Sequence, residues 1–290
     1  MNVLEYLFAG FSVGGQYALI AIGYTMVYGI LRLINFAHGD LFMVAGIVMV
    51  YLAASIPFYI SIPLTIIITI ILGFVIERVA YKPLRSAPRM SVMISAIGVS
   101  YLLQNLVLYI TGGLSKQYPK LPILSQRVKI FGITDRAVIF ITPVVAVVLM
   151  AVLMFLIKHT KMGMAMRAAS REFETAQLMG IKINRVISFT FIVGSALAAV
   201  GSLLYFSKFT GVSPTSGAMP GLKAFVAAVF GGIGSIPGAV IGAFFIGIME
   251  NLAVALNLAV YKDAFTFALL IIVLLVKPTG IFGEKLVEKV

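Results

Sequence analysis

Long apolar runs separated by short polar segments occupy nearly the whole chain. The first run covers residues 4–31. A helix needs about 20 apolar residues to cross the hydrocarbon core of a bilayer, so each long run is a candidate span. We therefore expect about eight crossings. After the first, the predicted spans lie at residues 41–56, 57–76, 90–110, 137–157, 186–207, 239–256 and 264–276.

Two polar or glycine-rich segments break this pattern. The first is INFAHGD at residues 34–40, and the second is SPTSGAMPG at residues 213–221. The apolar run that follows the second, residues 222–230, is too short to span and is interpreted as re-entrant. The two breaks lie in segments that run in opposite directions. This pattern predicts an inverted repeat, with halves 1–112 and 137–280 and a binding or translocation site near mid-membrane.

Composition assigns the chain to a class. Hydrophobic residues make up 61% of it, charged residues only 11%, and the mean hydropathy is +1.09. Globular proteins carry roughly a quarter charged residues, so we expect an all-α polytopic membrane protein. Eight spans leave no room for an attached catalytic domain, and residues 1–290 are interpreted as one transmembrane domain. The start of the chain shows no cleavable signal pattern.

The distribution of basic residues predicts an orientation. The net charge is +12, which in a membrane protein reflects basic loops and not nucleic-acid binding. Alternating spans place fourteen Lys and Arg on one side and eight, including Lys223, on the other. The richer side contains residues 77–89, residues 158–185 and the C-terminal tail. We therefore expect these segments in the cytoplasm and the N-terminus outside.

The loop at residues 158–185 has features of a short ordered helix. Ser170 is a candidate N-cap, Glu172 and Glu174 fall in the first turn, and Gly180 is placed to end the helix. Spacing of three and four residues puts Phe173, Ala176 and Gln177 on one face. The alternative is a plain charged loop that only fixes topology.

Polar groups at membrane depth are candidates for the translocation path. The predicted set is Asn35, His38, Asp40, Gly231, Gly232, Gly234, Ser235 and Glu250. The glycines are included because a turn at residues 231–237 would expose backbone to a water-filled path, and tight helix packing is the alternative for this turn. For Asn35, His38 and Asp40 the alternative is capping of helix ends at the cytoplasmic rim. Glu250 has an alternative role as partner of Lys262 or Lys223.

Small and amide residues within the spans suggest helix packing. Gly10, Gly14 and Ala18 recur every fourth residue and predict close approach of another helix. Gln104 and Asn105 are interpreted as hydrogen-bonding groups between helices. The chain has no cysteine and only two histidines, and no metal site is expected.

Several motifs now support a resemblance. Residues 163–169 (G-x-A-x-R-A-A) and 176–181 (A-x-L-x-G-I) resemble the coupling loop of bacterial ABC importer permeases. Together with residues 14–30, 34–40 and 227–242, they look like the permease of a high-affinity branched-chain amino-acid importer, the smaller of its two permease subunits. The resemblance implies that the loop docks on an ATP-binding subunit. The implied coupling residues are Gly163, Arg167, Ala168, Arg171, Phe173, Ala176, Leu178, Gly180 and Ile181.

The same resemblance implies the partners and location. These are ATP-binding subunits, a homologous second permease and a periplasmic substrate-binding protein, at the cell inner membrane. ATP and magnesium would bind the partners, because the nearest string to a P-loop, residues 217–224, has Leu222 where the second glycine must stand. No enzymatic activity and no cofactor are expected for this chain. Permeases for urea or short amides resemble the same family, and an ion- or proton-coupled secondary transporter is the other alternative.

Overall fold

A computed structural model describes residues 3–85, 87–130 and 132–283 of the chain. Twelve α-helices account for most of these residues. They are α1 (Val3–Leu31), α2 (His38–Ser55), α3 (Phe58–Ile76), α4 (Arg89–Thr111), α5 (Pro122–Ser125), α6 (Ala137–His159), α7 (Lys161–Arg171), α8 (Phe173–Leu178), α9 (Ile183–Lys208), α10 (Ala218–Gly231), α11 (Ile236–Ala255) and α12 (Lys262–Val276). A π-helical turn (Glu77–Tyr81) and a 3₁₀ turn (Lys82–Leu84) extend α3, and a 3₁₀ turn (Ala259–Tyr261) precedes α12.

Eight of these helices, with the turns that extend them, are long and apolar enough to cross a membrane. The all-α polytopic class and the number of spans are confirmed. Several predicted boundaries differ from the observed ones by a few residues. For example, α2 begins at His38 and not at residue 41, and α11 begins at Ile236 and not at residue 239. The segment after the second break forms α10, a 14-residue helix that is shorter than the spans, as expected.

Within the described ranges, four short strands lie between the helices. β1 (Lys116–Gln117) pairs antiparallel with β4 (Gly211–Val212), and β2 (Arg127–Ile130) forms a hairpin with β3 (Ile133–Arg136). The β1–β4 pairing ties the loop after α4 to the loop after α9, so these loops share one end of the bundle. We call it the hairpin end. We call the opposite end the α8 end. It contains residues 30–33, the turns after α3, and helices α7 and α8, and residues from all of these segments line a common cavity.

Helix α1 runs through the centre of the bundle and packs closely against α11. A Cβ atom added to Gly14 would lie 2.6 Å from the Cα of Phe244, and one added to Gly247 would lie 2.3 Å from the backbone nitrogen of Gly14. Gly10 approaches Ile248 in the same way. The predicted close approach along Gly10 and Gly14 is therefore confirmed, and α11 is the helix that makes it.

The two predicted breaks meet inside the bundle. Gly39, in the first turn of α2, packs directly against Gly217, the residue before α10: a Cβ atom on Gly217 would lie 2.1 Å from the Gly39 carbonyl oxygen. The ring of His38 occupies the space beside Gly23 of α1. Gly23 lies eight residues before the end of α1, which is about 12 Å along a helix. Both α2 and α10 therefore begin within the bundle and not at its rim. The inverted repeat stays a prediction.

We predict that Gly14→Ala destabilises the protein by about 1–3 kcal/mol, because the added methyl group forces α1 and α11 apart. Gly29→Ala is the matched control on the same helix, since the nearest heavy atom there is 3.9 Å from the added Cβ. Helix propensity alone favours alanine at both sites. The free energy of unfolding, measured by SDS titration in mixed micelles, should fall only for Gly14→Ala. Equal values for the two variants would contradict the close packing.

Candidate functional site

Helix α7 is an amphipathic helix that turns sharply away from α6. The Thr160 side chain caps it by accepting a hydrogen bond from the backbone nitrogen of Gly163 at 3.0 Å. A Cβ atom on Gly163 would lie 2.3 Å from the Ile157 carbonyl oxygen, so glycine is required at this turn. The buried residues Gly163, Met166 and Ala169 recur every third position and face the bundle. The other face is open to solvent or to a partner.

Helix α8 ends as the sequence predicts. Gly180 has φ +83° and its backbone nitrogen donates to the Gln177 carbonyl, while that of Ile181 donates to the Ala176 carbonyl. This pair of bonds is the Schellman arrangement, which favours glycine at this position. The predicted capping by Ser170 is wrong. Ser170 lies within α7, where its hydroxyl donates to the Arg167 carbonyl, and Glu172 is the residue before α8.

The exposed face of α8 differs from the predicted one. Ala176 is only 4% exposed and packs into the hydrophobic core, because α8 lies with this side against the bundle. Phe173 and Gln177 remain exposed. The most exposed apolar side chains between the start of α7 and the start of α9 are Leu178 at 87% and Met179 at 80%. The sequence prediction included Leu178 but missed Met179, which stands immediately before the terminating glycine.

The remaining predicted coupling residues lie around this tip. Arg167 is exposed and its guanidinium donates to the Lys158 carbonyl at 3.3 Å, across the turn between α6 and α7. Arg171 is exposed, and Ala168 and Ile181 are half-buried. The nine predicted residues therefore occupy one region, but only part of them faces outward.

A cavity of about 1000 Å³ opens at the α8 end. The end of α1, the turns after α3, the start of α4 and the segment from α7 to the start of α9 form its walls. Its lining includes Arg32, Tyr81, Arg85, Arg171, Phe173 and Asn184. Movement of α8 would therefore change the shape of a space that already reaches between the spans.

A buried ionic contact connects the end of α3 to the start of α9 beside this cavity. The Glu77 carboxylate is fully buried, pairs with the Arg85 guanidinium and accepts a hydrogen bond from the Ser188 hydroxyl at 2.8 Å. Arg85 also donates to the side chain of Asn184. Burial lowers the pKa of Arg85 below its usual value, and the adjacent Glu77 raises it. The segment that follows α8 is thus bonded directly to the end of another span.

The polar residues of the first break are buried inside the chain. Asn35 accepts a hydrogen bond from the Tyr81 hydroxyl at 2.7 Å, and Asp40 accepts one from the Gln104 amide at 3.0 Å. His38 is 2% exposed and packs edge-on against Tyr24. None of the three side chains caps a helix: the residue preceding α2 is Ala37, with no side-chain cap. Their interpretation as rim capping groups is therefore wrong.

The glycine-rich turn between α10 and α11 is only partly open. Gly231 packs against Gly238, and Gly232 against the segment after α12. Gly234 has φ +102° and is exposed, with no described atom within 4 Å of an added Cβ. Ser235 is the N-cap of α11 and accepts a hydrogen bond from the Gly238 nitrogen at 3.2 Å. Of the predicted path residues in this turn, Gly234 is the exposed one.

Glu250 is the centre of a second buried cluster. Lys223 Nζ lies 2.7 Å from Glu250 Oε1 and 2.6 Å from Asp263 Oδ1. The hydroxyls of Tyr17 and Thr266 donate to the same Glu250 carboxylate at 3.1 and 3.0 Å. The cluster joins α1, α10, α11 and α12. Of the two predicted partners Lys223 is the correct one, and its place inside α10 shows that it is not a loop charge.

The structure therefore separates the predicted site residues into four groups. Gly231, Gly232, Gly234 and Ser235 lie in the turn between α10 and α11, near Gly29 of α1. The coupling residues lie together at the α8 end, the first break lies deep between α1 and α9, and Glu250 lies in its own ionic cluster. Sequence reasoning missed Glu77, Tyr17, Asp263 and Thr266. Glu77 carried a signal, since it is an acidic residue that directly follows an apolar run.

Residues 6–274 match the family described as branched-chain amino acid transport system / permease component. The chain is 43% identical to the high-affinity branched-chain amino acid transport system permease protein LivH of Salmonella typhimurium, over 99% of this chain and 97% of that protein. It is 40% identical to the permease protein BraD of Pseudomonas aeruginosa, over 100% and 98%.

A solved structure shares the fold. It is an inward-facing conformation of a putative metal-chelate type ABC transporter, with a TM-score of 0.50 and 16% identity, covering 93% of this chain and 85% of that chain. At this identity the likeness concerns the fold alone.

We predict that Lys223→Met lowers the free energy of unfolding by about 3–5 kcal/mol, because Glu250 is left as an unpaired buried charge. Adding Glu250→Gln removes that charge and keeps an acceptor for Tyr17 and Thr266. The double variant should therefore regain most of the loss in the same SDS titration. A double variant no more stable than Lys223→Met would contradict the pairing.

Proposed function

Because the chain belongs to the family of branched-chain amino acid transport system permease components, we propose that it forms the membrane path of an ATP-driven importer for branched-chain amino acids. The observation that carries the proposal is the identity of 40–43% to LivH and BraD permeases over essentially the full length of both chains. The eight spans and this family support a multi-pass protein of the cell inner membrane.

The partners would be two ATP-binding subunits, a second permease of the same family and a periplasmic binding protein that delivers the amino acid. ATP and magnesium would be bound by the ATP-binding subunits, and this chain would hold neither. It would have no catalytic role of its own. Its contribution would be the path, the docking surface and the movement that opens the path to one side at a time.

The α8 end would face the cytoplasm. The basic loops support this orientation, because residues 77–89 and residues 158–185 share that end and carry ten Lys and Arg. The sequence-based count of eight basic residues on the opposite side included Lys223. The structure buries Lys223 in an ion pair, so it is removed from that count. The N-terminus would then lie outside.

Helix α8 would dock into a groove on an ATP-binding subunit. Leu178 and Met179 at its tip are the most exposed apolar side chains of the α7–α8 segment. Large apolar side chains that project from a charged surface are typical anchors of protein interfaces. The surrounding basic residues, among them Arg167 and Arg171, would form the polar rim of this contact.

Movement of α8 would reach the spans through two rigid connections. The first turn of α9 is bonded through Asn184 to Arg85 and thereby to Glu77 at the end of α3. Helix α7 packs against α6, α1 and α9 through its buried face. A push on α8 by a closing pair of ATP-binding subunits would therefore shift α3 and α9 relative to α1 and α6, and so change the opening at the α8 end.

The substrate class is tested by reconstitution. The complete transporter, with this chain and its binding protein, is placed in liposomes that contain ATP, and uptake of radiolabelled leucine is measured. We expect uptake that excess isoleucine or valine competes away and that urea or acetamide leaves unchanged. Uptake of urea or a short amide in place of leucine would contradict the proposed substrate.

We predict that Leu178→Asp or Met179→Asp weakens binding of the ATP-binding subunit by about 30-fold or more, the effect of losing an interface hot spot. Uptake should fall with it, while the membrane level of the chain stays normal. Leu256→Asp is the matched control, because Leu256 is 71% exposed at the hairpin end. Ala176 is unsuitable, since it is buried. Co-purification of the ATP-binding subunit at normal level with both tip variants would contradict docking through α8.

A further inference from the structure

Helix α4 has a narrow buried seam and a broad exposed face. The seam consists of Val92, Ala96, Leu103 and Val107. On the opposite side, spacings of four, three and four residues align a second stripe. Its members are Ile94, Gly98, Tyr101 and Asn105, all of which are exposed. We call them the α4 stripe.

The α4 stripe differs in chemistry from the exposed faces of the other peripheral spans. α3, α4, α6 and α12 are the least buried spans of the described chain. The charged and aromatic residues of α3, α6 and α12 near the helix ends are left aside. Among the other residues, these three helices bury every hydroxyl side chain completely. These are Ser61, Thr65 and Thr69 of α3, Thr142 of α6 and Thr266 of α12, each 0% exposed. Their outward faces are apolar and suit lipid.

Helix α4 instead presents polar groups outward at membrane depth. Tyr101, near the middle of the helix, is 62% exposed, and its hydroxyl has no hydrogen-bond partner among the described residues. Asn105, one turn further on, is exposed. Its amide nitrogen donates to the Tyr101 carbonyl at 2.8 Å, whereas its side-chain oxygen accepts no bond from any residue that the structure describes. Hydrocarbon cannot satisfy these groups, and leaving them there costs free energy.

Gly98 adds an independent observation. No described atom lies within 4 Å of a Cβ atom built on it, so this exposed glycine serves no packing within the chain. Exposed small residues on a membrane helix allow close approach of a helix from another protein. The orientation of the stripe is fixed on its inner side, where Gln104 bonds Asp40 of α2 at 3.0 Å.

We propose that the α4 stripe is the face on which the second permease protomer packs, with Tyr101 and Asn105 at the route that cargo takes between the two protomers. This inference rests on the proposed function. A permease of the same family can supply hydrogen-bonding groups and a water-filled path at this depth, which lipid cannot. It also accounts for Gly98, where the partner helix approaches most closely.

Photo-crosslinking in the assembled transporter tests the proposal. p-Benzoylphenylalanine replaces Tyr101 in one variant and Phe155 of α6 in the matched control, because these aromatic residues are 62% and 65% exposed. After irradiation of membranes that contain the co-expressed subunits, the probe at residue 101 should crosslink to the second permease chain, and the probe at residue 155 should not. A crosslink from residue 155 only, or none to a permease from residue 101, would overturn the proposal.

A second pair of variants does not depend on the probe. Gly98→Trp should block the close approach and reduce co-purification of the second permease by about tenfold, the effect of losing roughly 1.4 kcal/mol of binding free energy. Ala151→Trp, at an exposed small residue of α6, should leave it unchanged. Normal assembly and uptake by Gly98→Trp would contradict the interface. If the complex crosslinks at residue 101 but takes up no leucine, the proposed substrate fails and the interface stands.

Discussion

A polar group inside a bilayer must find its partner in protein or in enclosed water, and this constraint organises the whole molecule. Glu250 is paired with Lys223 and bonded to two hydroxyls. Glu77 is paired with Arg85, and Asp40 accepts from Gln104. The Glu250 and Asp40 contacts join separate helices, and the Ser188 hydroxyl of α9 donates to Glu77 at the end of α3. Satisfying the polar groups therefore also fixes how the helices are arranged. Two carboxylates of the predicted translocation path, Asp40 and Glu250, are thus already engaged within the chain.

The same constraint explains where the chain departs from simple spans. Helices α2 and α10 begin within the bundle, where their unpaired backbone groups are surrounded by protein and not by lipid. Gly39 and Gly217 allow these two helix starts to touch. Close packing of α1 on α11 forms the centre of the bundle. Under the proposed function, docking at α8, the Glu77 contact and the proposed α4 interface would belong to one path of force from the ATP-binding subunits to the route of the cargo.

The sequence was informative where the signal is local. Hydropathy located the spans because a length of about 20 apolar residues is diagnostic by itself. Gly180 could be predicted as a helix end because its left-handed conformation is a local requirement. The outward face of α8 could not, since burial of Ala176 depends on how the helix rests on the bundle. Nor could spacing decide between Lys223 and Lys262 as partner of Glu250, because the contact joins helices distant in sequence. Gln104 and Asn105 were both interpreted as hydrogen-bonding groups between helices. Gln104 does bond Asp40 of α2, whereas Asn105 is exposed and its amide donates to the Tyr101 carbonyl of its own helix.

The central claim is that this chain is a path moved by a separate motor at its α8 end. The most direct test measures leucine flux into liposomes from two preparations, the complete transporter and the purified chain alone. We predict that the complete transporter accumulates leucine only when ATP is supplied on the side that the α8 end faces. The chain alone should accumulate none, with or without a proton or sodium gradient. Gradient-driven accumulation by the chain alone, without ATP, would contradict the account.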